Sequence, residues 1–171
     1  MKILKTLNWP IILSSLPLVS IGILVIYSSS KELGIQQFLY ALIGSMLFVL
    51  VSQLDLHSVK KLILPTFIFV ILLLITVNIL GVETRGVIRW IPLGFFNIQP
   101  SEFAKPVLIL FLANFWIQHQ PSWVNIIKSL GLLLPLLFLI FRQPDLGSTL
   151  TLIAIWVCMV FASRISYKKI V

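Results

Sequence analysis

The chain has 171 residues, of which 59% are hydrophobic and 11% are charged, and its mean hydropathy is +1.09. A composition this apolar excludes an ordinary soluble domain and indicates a membrane protein. The net charge of +8 does not indicate nucleic-acid binding, because the basic residues separate apolar runs instead of forming one basic face.

Six apolar segments are long enough to cross a bilayer, since a spanning helix needs about 20 mostly apolar residues. The predicted spans are residues 10–27, 35–54, 62–81, 101–118, 123–141 and 146–163. The first is predicted to be a retained span, because its apolar run exceeds the roughly 7 to 15 residues of a signal-peptide core. We therefore expect an all-α, polytopic transmembrane helical bundle of about six spans.

The distribution of basic residues predicts that the N- and C-termini are both cytoplasmic. With that orientation the inner side carries Lys2, Lys5, Lys60, Lys61, Lys128, Arg164, Lys168 and Lys169. The outer side carries Lys31, Arg85, Arg89, Lys105 and Arg142. The interval from Arg85 to Lys105 then lies on the outer side, where the positive-inside rule does not account for its arginines.

The segment QPSEFAK, residues 99–105, has the pattern of a helix entrance. Ser101 is the predicted N-cap, and Glu102 lies in the first turn, where the helix dipole favours an anion. Lys105 follows three residues later, at a spacing that permits an ion pair with Glu102. A capped helix entrance with a local ion pair is the purely structural alternative for both residues.

The segment RQPDLGSTL, residues 142–150, repeats this pattern, with Asp145 as the predicted N-cap of the sixth span. Both entrances face outward in the predicted topology, so we expect Lys105 to contact Asp145 or Glu102 near the outer membrane boundary. A helix cap without further role remains the alternative for Asp145. For Arg85 and Arg89 the alternative is snorkelling to lipid phosphate.

Several classes of site are missing from the sequence. There is no P-loop, dinucleotide fingerprint, HExxH or GxSxG motif, and no acidic or cysteine cluster accompanies His57 or His119. Cys158 is the only cysteine, which excludes a disulfide framework and a cysteine-based zinc site. We expect no resident metal and no bound cofactor.

Four motifs in order carry a resemblance to a known family: YSSS at residues 27–30, RGVIRWIPLG at 85–94, QPSEFAK at 99–105 and RQPDLGSTL at 142–150. This series resembles the SEDS proteins (shape, elongation, division and sporulation), the RodA, FtsW and SpoVE group. The motif QPDLG with its preceding residues is more similar to the RodA branch than to FtsW.

The resemblance implies a peptidoglycan glycosyltransferase that polymerises lipid II, a disaccharide-pentapeptide on undecaprenyl pyrophosphate, in cell-wall elongation, cell shape or division. In that reaction an acceptor hydroxyl attacks the anomeric carbon while pyrophosphate departs, so a base and stabilising cations are required. The resemblance assigns pyrophosphate binding to Arg85, Arg89 and Lys105. It assigns the structural and orienting polar cluster to Gln99, Ser101, Glu102, Gln143 and Asp145, and leaves open a divalent cation in the full-length enzyme.

The chain also departs from the family pattern. Family members have about ten spans and this length accommodates about six, so we expect residues 1–171 to be the N-terminal part of a SEDS-type membrane domain. The catalytic residue is unknown: the family's base is expected beyond the C-terminus, as are the spans that contact the partner, a class B penicillin-binding protein. We therefore expect this chain alone to make no glycan strands.

Another departure is Asn97, where some members of the family carry arginine. The expected localisation is the bacterial inner membrane, as a multi-pass protein. Two other functions remain open: a lipid II flippase or transporter, and a non-catalytic membrane scaffold of the cell-wall synthesis machinery. A transporter should carry ionisable residues near the bilayer midplane, whereas the charges here concentrate at the ends of the spans.

Overall fold

Apolar segments that must satisfy their backbone groups internally form helices, and helices account for most of this computed structural model. It describes residues 9–80, 82–84, 87–92 and 97–163. Those residues form six helices: α1 (Trp9–Ser29), α2 (Lys31–Ser52), α3 (Leu56–Leu80), α4 (Pro100–Gln118), α5 (Trp123–Phe141) and α6 (Leu146–Ser163). The predicted all-α transmembrane bundle is confirmed, with a helix at each of the six predicted positions.

Five of the described helices, all except α4, are long and apolar enough to cross a membrane. Helix α4 carries Glu102, Lys105 and Asn114 among its apolar residues, which lowers its hydropathy although its 19 residues match the length of α5. The repeated apolar spans make this a multi-pass membrane protein.

The chain divides into two compact units, residues 1–59 and 60–171. In the first unit, α1 and α2 form a helical hairpin in which Ser30 is the N-cap of α2 and accepts a hydrogen bond from the backbone N–H of Leu33. Gly34 lies against Tyr27 so closely that a β-carbon at this position would be 2.6 Å from the Tyr27 Cα. A glycine is therefore required where the two helices meet.

The second unit has an apolar core between α3, α4, α5 and α6. Phe67 of α3 stacks on Phe111 of α4 with 4.2 Å between the ring centroids. Polar contacts cross the same core: the Trp156 indole N–H of α6 donates to the Ser129 hydroxyl of α5 at 3.0 Å. Buried leucines and isoleucine complete it: Leu74, Leu108, Leu112, Leu133, Leu136, Ile140 and Leu152.

The interval between α3 and α4 also contains three short strands, β1 (Val82–Thr84), β2 (Val87–Pro92) and β3 (Asn97–Ile98), which the sequence did not predict. They form an antiparallel sheet in the order β1-β2-β3. Strand β2 lies against α4, so the sheet fixes the position of Arg89 relative to the entrance of that helix.

Candidate functional site

Helix α4 begins one residue earlier than predicted, and this changes the role of Ser101. Pro100 is the first helical residue, a position that suits proline because its missing N–H needs no partner there. Gln99 is the N-cap, without a side-chain capping hydrogen bond. The predicted N-cap role of Ser101 is therefore wrong: this buried residue lies inside the first turn.

Helix α6 begins as predicted, with Asp145 as its cap. One carboxylate oxygen of Asp145 accepts from the backbone N–H of Ser148 at 3.1 Å, and the other accepts from the Ser148 hydroxyl at 2.8 Å. The Asp145 backbone carbonyl accepts from the Thr149 hydroxyl at 2.7 Å. Sequence reasoning missed Ser148 and Thr149, although their spacing from Asp145 is that of residues on the first turn of a helix.

The two helix entrances are joined through Asp145. The Gln99 side-chain amide donates to the Asp145 Oδ2 at 3.2 Å and to the Ser101 hydroxyl at 3.0 Å. The Ser101 hydroxyl in turn donates to the same carboxylate oxygen at 3.4 Å. We call Gln99, Ser101, Asp145 and Ser148 the entrance network. These contacts support the structural role predicted for Gln99, Ser101 and Asp145, which stays a prediction.

Arg89 of β2 attaches the strand segment to this network. Its Nε donates to the Gln143 carbonyl at 3.1 Å, one of its terminal nitrogens donates to the Pro144 carbonyl, and the other lies 4.0 Å from the Asp145 Oδ1. One edge of the guanidinium is thus occupied by protein carbonyls. The pyrophosphate contact expected of Arg89 remains a prediction. The N–H groups left for it are the second one of the nitrogen that donates to Pro144 and those of the nitrogen that faces Asp145.

Gln143 continues the connection towards α3. Gln143 is 2% exposed, and its side-chain amide donates to the Leu74 carbonyl at 3.5 Å, whereas its Oε1 has no partner among the described residues. The same Leu74 carbonyl accepts from the Asn78 side chain at 2.8 Å. Gln143 therefore contacts α3 as well as the turn before α6, which is consistent with the orienting role expected for it.

Lys105 was expected to contact Asp145 or Glu102, and it contacts Glu102. The distance from the Lys105 Nζ to the Glu102 Oε1 is 2.6 Å. The cation beside Asp145 is Arg89 instead, because Asp145 is already enclosed by the entrance network. An ammonium has three donors, so two N–H groups of Lys105 remain for a ligand. Arg85 lies outside the described residues.

The environment of Asp145 favours the ionised carboxylate. Burial raises the pKa of this group, but the backbone N–H and hydroxyl of Ser148, with the Arg89 guanidinium, outweigh burial and hold the pKa below its usual value. An efficient general base has a pKa near the operating pH and a free lone pair directed at the substrate. The lowered pKa of Asp145 and its four hydrogen bonds make it a poor base, which supports the prediction that it is an orienting anion.

The site offers no obvious place for a resident metal. Within the described ranges, no three His, Cys, Asp or Glu side chains gather into a metal-binding group. The Asp145 carboxylate already accepts hydrogen bonds within the entrance network, and the Glu102 carboxylate is already paired with Lys105. These residues do not by themselves fit a bound divalent cation, and no chemical step is assigned to one.

Comparison with known proteins places these features in one family. Residues 6–171 match the model of the FtsW/RodA/SpoVE family, described as "Cell cycle protein". The chain is 37% identical over 174 residues to the peptidoglycan glycosyltransferase RodA of Treponema pallidum, and the match covers 95% of this chain and 40% of that protein. It is 27% identical over 172 residues to a probable peptidoglycan glycosyltransferase FtsW of Pseudomonas fluorescens, covering 91% of this chain and 42% of that one.

Solved structures show the same fold. A mutant of the rod shape determining protein RodA of Thermus thermophilus superposes with a TM-score of 0.85 at 27% identity, over 95% of this chain and 55% of that one. A chain of a peptidoglycan synthase complex, described in terms of coordinated polymerization and crosslinking, gives a TM-score of 0.83 at 27% identity over 95% and 49%. The sequence match along nearly the whole chain and the shared fold lead to one conclusion: this chain belongs to the FtsW/RodA/SpoVE family.

Proposed function

We propose that the chain is part of a RodA- or FtsW-type peptidoglycan glycosyltransferase of the bacterial inner membrane, corresponding to the N-terminal portion of such an enzyme. The names of its relatives support this assignment, and the chain spans 40% and 42% of the length of the first two. The substrate class is lipid II, and the product is the glycan strand of cell-wall elongation, cell shape or division.

The observation that carries the proposal is that the first residues of α4 and α6 are hydrogen-bonded to each other through Asp145. A lysine, Lys105, lies on the next turn of α4. The entrance network holds the two helix ends in register, and Lys105 is three residues from its partner Glu102. A cation fixed on a rigid helix end suits a diphosphate, which needs positive charge at the oxygens that become the leaving group.

In this proposal the charged residues have separate tasks. Lys105 contacts the pyrophosphate as a point charge, joined by Arg85 and by the N–H groups of Arg89 that the Gln143 and Pro144 carbonyls do not use. Glu102 orients Lys105, and Asp145 holds the entrances together. The acceptor hydroxyl attacks the anomeric carbon, the bond to the pyrophosphate oxygen breaks, and the hydroxyl proton passes to a general base other than Asp145.

The proposed protein partner is a class B penicillin-binding protein. Support comes from the structural similarity to a chain of a peptidoglycan synthase complex, whose printed description joins polymerization and crosslinking.

The transporter alternative is less well supported. A translocation path needs ionisable groups near the bilayer midplane on interrupted helices. Among the described helices, the charged residues lie within about two turns of a helix end, as Lys105 does in α4 and Lys128 does in α5. Polymerisation at one membrane face is the function that this placement favours.

The test uses a chimera in which this chain replaces the matching part of the Treponema pallidum RodA. Because removing one stabilising group from a developing anion costs about 100-fold or more in rate, Lys105→Ala should reduce lipid II polymerisation at least that far. Glycan strands are measured by gel electrophoresis with labelled lipid II. Lys105→Arg should retain more activity than Lys105→Ala.

The matched control is Lys31→Ala, which removes an exposed lysine at the start of another helix on the same predicted membrane face. It should polymerise at the parental rate. Equal yields from Lys105→Ala and Lys31→Ala, with equal membrane insertion, would instead favour the scaffold alternative.

A further inference from the structure

A polar cavity lies at the end of α4 opposite to the entrance network. Its volume is about 430 Å³, and it is formed where the last turns of α4 face the first turns of α5. The apolar part of its lining is Phe111, Phe115 and Leu132, and the polar part is Asn114, Gln118, His119 and Lys128. The cavity is thus amphipathic: apolar side chains line one part of it, and a lysine, a histidine and two side-chain amides line the other.

Lys128 is an unneutralised cation at this cavity. Its side chain forms no salt bridge or hydrogen bond with any residue that the structure describes. The sequence contains no aspartate or glutamate between Phe103 and Pro144, so neither α5 nor the adjoining part of α4 supplies a counterion. An anionic ligand would therefore bind Lys128 without competing against a carboxylate of these helices.

The neutral groups at the cavity present hydrogen-bond donors. The Gln118 side-chain N–H donates to the Asn114 Oδ1 at 3.3 Å. The Nδ2 of the same Asn114 amide has no acceptor among the described residues. His119 is held against the wall: its Nδ1 donates to the Phe115 carbonyl at 2.9 Å, and its ring stacks on Phe115. The His119 Nδ1–H is already used by the Phe115 carbonyl, so His119 contributes a ring to the wall, and the Asn114 amide is the donor that suits an acceptor-rich ligand such as a phosphate.

The position of the cavity suits a lipid headgroup. It lies next to the connection between Gln118 and Trp123, where two apolar helices end and the chain reaches the membrane surface. Trp123, at the start of α5, is 76% exposed, as expected for a tryptophan in an interfacial belt. Lys128 is five residues further along the helix, within reach of the headgroup layer for a lysine that extends along the helix.

We propose that this cavity, between the end of α4 and the start of α5, binds the headgroup of an anionic phospholipid. Lys128 and the Asn114 amide contact the phosphodiester oxygens, and the acyl chain lies along Phe111, Phe115 and Leu132. Basic pockets between transmembrane helices bind anionic headgroups on the same physical grounds. The site is remote in sequence from the proposed catalytic region, and its binding is measured without any glycosyltransferase activity.

The test is native mass spectrometry of the 171-residue chain, delipidated in detergent and titrated with a palmitoyl-oleoyl phosphatidylglycerol. The zwitterionic phosphatidylcholine with the same acyl chains is the comparison lipid. We expect phosphatidylglycerol to bind about tenfold more tightly, as a charge-assisted contact requires. Lys128→Gln should abolish that preference, and Lys128→Arg should retain it.

The matched control is Lys60→Gln, which removes one exposed lysine on the same predicted membrane face but outside the cavity. It should keep the tenfold preference. An equal loss in Lys60→Gln and Lys128→Gln, or no preference in the parent chain, would overturn the proposal. So would inorganic phosphate binding as tightly as phosphatidylglycerol, because the ligand would then be the free anion and not a lipid.

Discussion

Asp145 shows how one side chain connects segments that are far apart in the sequence. Its two carboxylate oxygens accept four hydrogen bonds, from the side chains of Gln99 and Ser101 and from the backbone N–H and hydroxyl of Ser148. A buried carboxylate satisfied in this way stabilises the folded chain, whereas its removal leaves buried donors unpaired.

We expect Asp145→Ala to lower the free energy of unfolding by about 2 kcal/mol, from the lost cap and the unpaired donors. Asp145→Asn should cost less, since an amide oxygen can still cap the helix. Thermal unfolding in detergent, followed by circular dichroism, measures both. The control is Asp55→Asn: Asp55 caps α3 through the Ser58 N–H at 3.3 Å but is exposed, so this change should have a smaller effect than Asp145→Asn.

The Asp145→Asn variant also tests whether the negative charge of Asp145 contributes to stability. Because its pKa is lower in the folded chain, the stabilisation is fully present above the unfolded pKa, about 3.9, and is lost as the pH falls through the folded pKa. The difference in Tm between the parent and Asp145→Asn should be constant from about pH 7 to 5 and shrink below about pH 4. A difference that does not change with pH would contradict the assigned cause.

At the scale of elements, the helices could be predicted from the sequence, whereas the structure of the segments that connect them could not. A long apolar run predicts a membrane helix without any knowledge of the segments that pack against it. Accordingly, α5 and α6 begin and end at the predicted residues. The strands were missed because they are only two to six residues long and are separated by segments that contain glycine, which leaves no alternation long enough to recognise. The contact of Arg89 with Gln143 joins residues 54 positions apart, and local spacing carries no information on such a pair.

The hairpin of α1 and α2 gives a prediction that concerns packing alone. At Gly34 an added β-carbon would lie 2.6 Å from a backbone atom of Tyr27, which cannot rotate away. Gly34→Ala should therefore cost about 1 to 3 kcal/mol, as overpacking does in other proteins. Gly44→Ala, in the same helix with no atom within 4 Å of the added carbon, should be neutral or stabilising. Thermal unfolding in detergent compares the two, and an equal Tm would contradict the close contact.

At the scale of the whole molecule, the orientation in the membrane remains a prediction from the basic residues. The single cysteine makes it straightforward to test, since Cys158→Ser removes every native thiol. In that background Asn97→Cys should react with a membrane-impermeant maleimide in spheroplasts, because the strand segment is predicted to be outside. Ser122→Cys should react only after permeabilisation. Both positions are exposed, so reversed labelling would mean that the chain is inserted the other way.

The attachment of Arg89 to the turn before α6 also has a consequence for biosynthesis. The guanidinium leaves the ribosome 54 residues before the first carbonyl that it contacts, an interval of roughly 3 to 11 s at about 5–20 residues per second. During that time α4 and α5 must be inserted, while the arginine is solvated by water or lipid phosphate. Closure of this contact therefore follows the insertion of α4 and α5, and the strand segment reaches its final position only after α5 is in place.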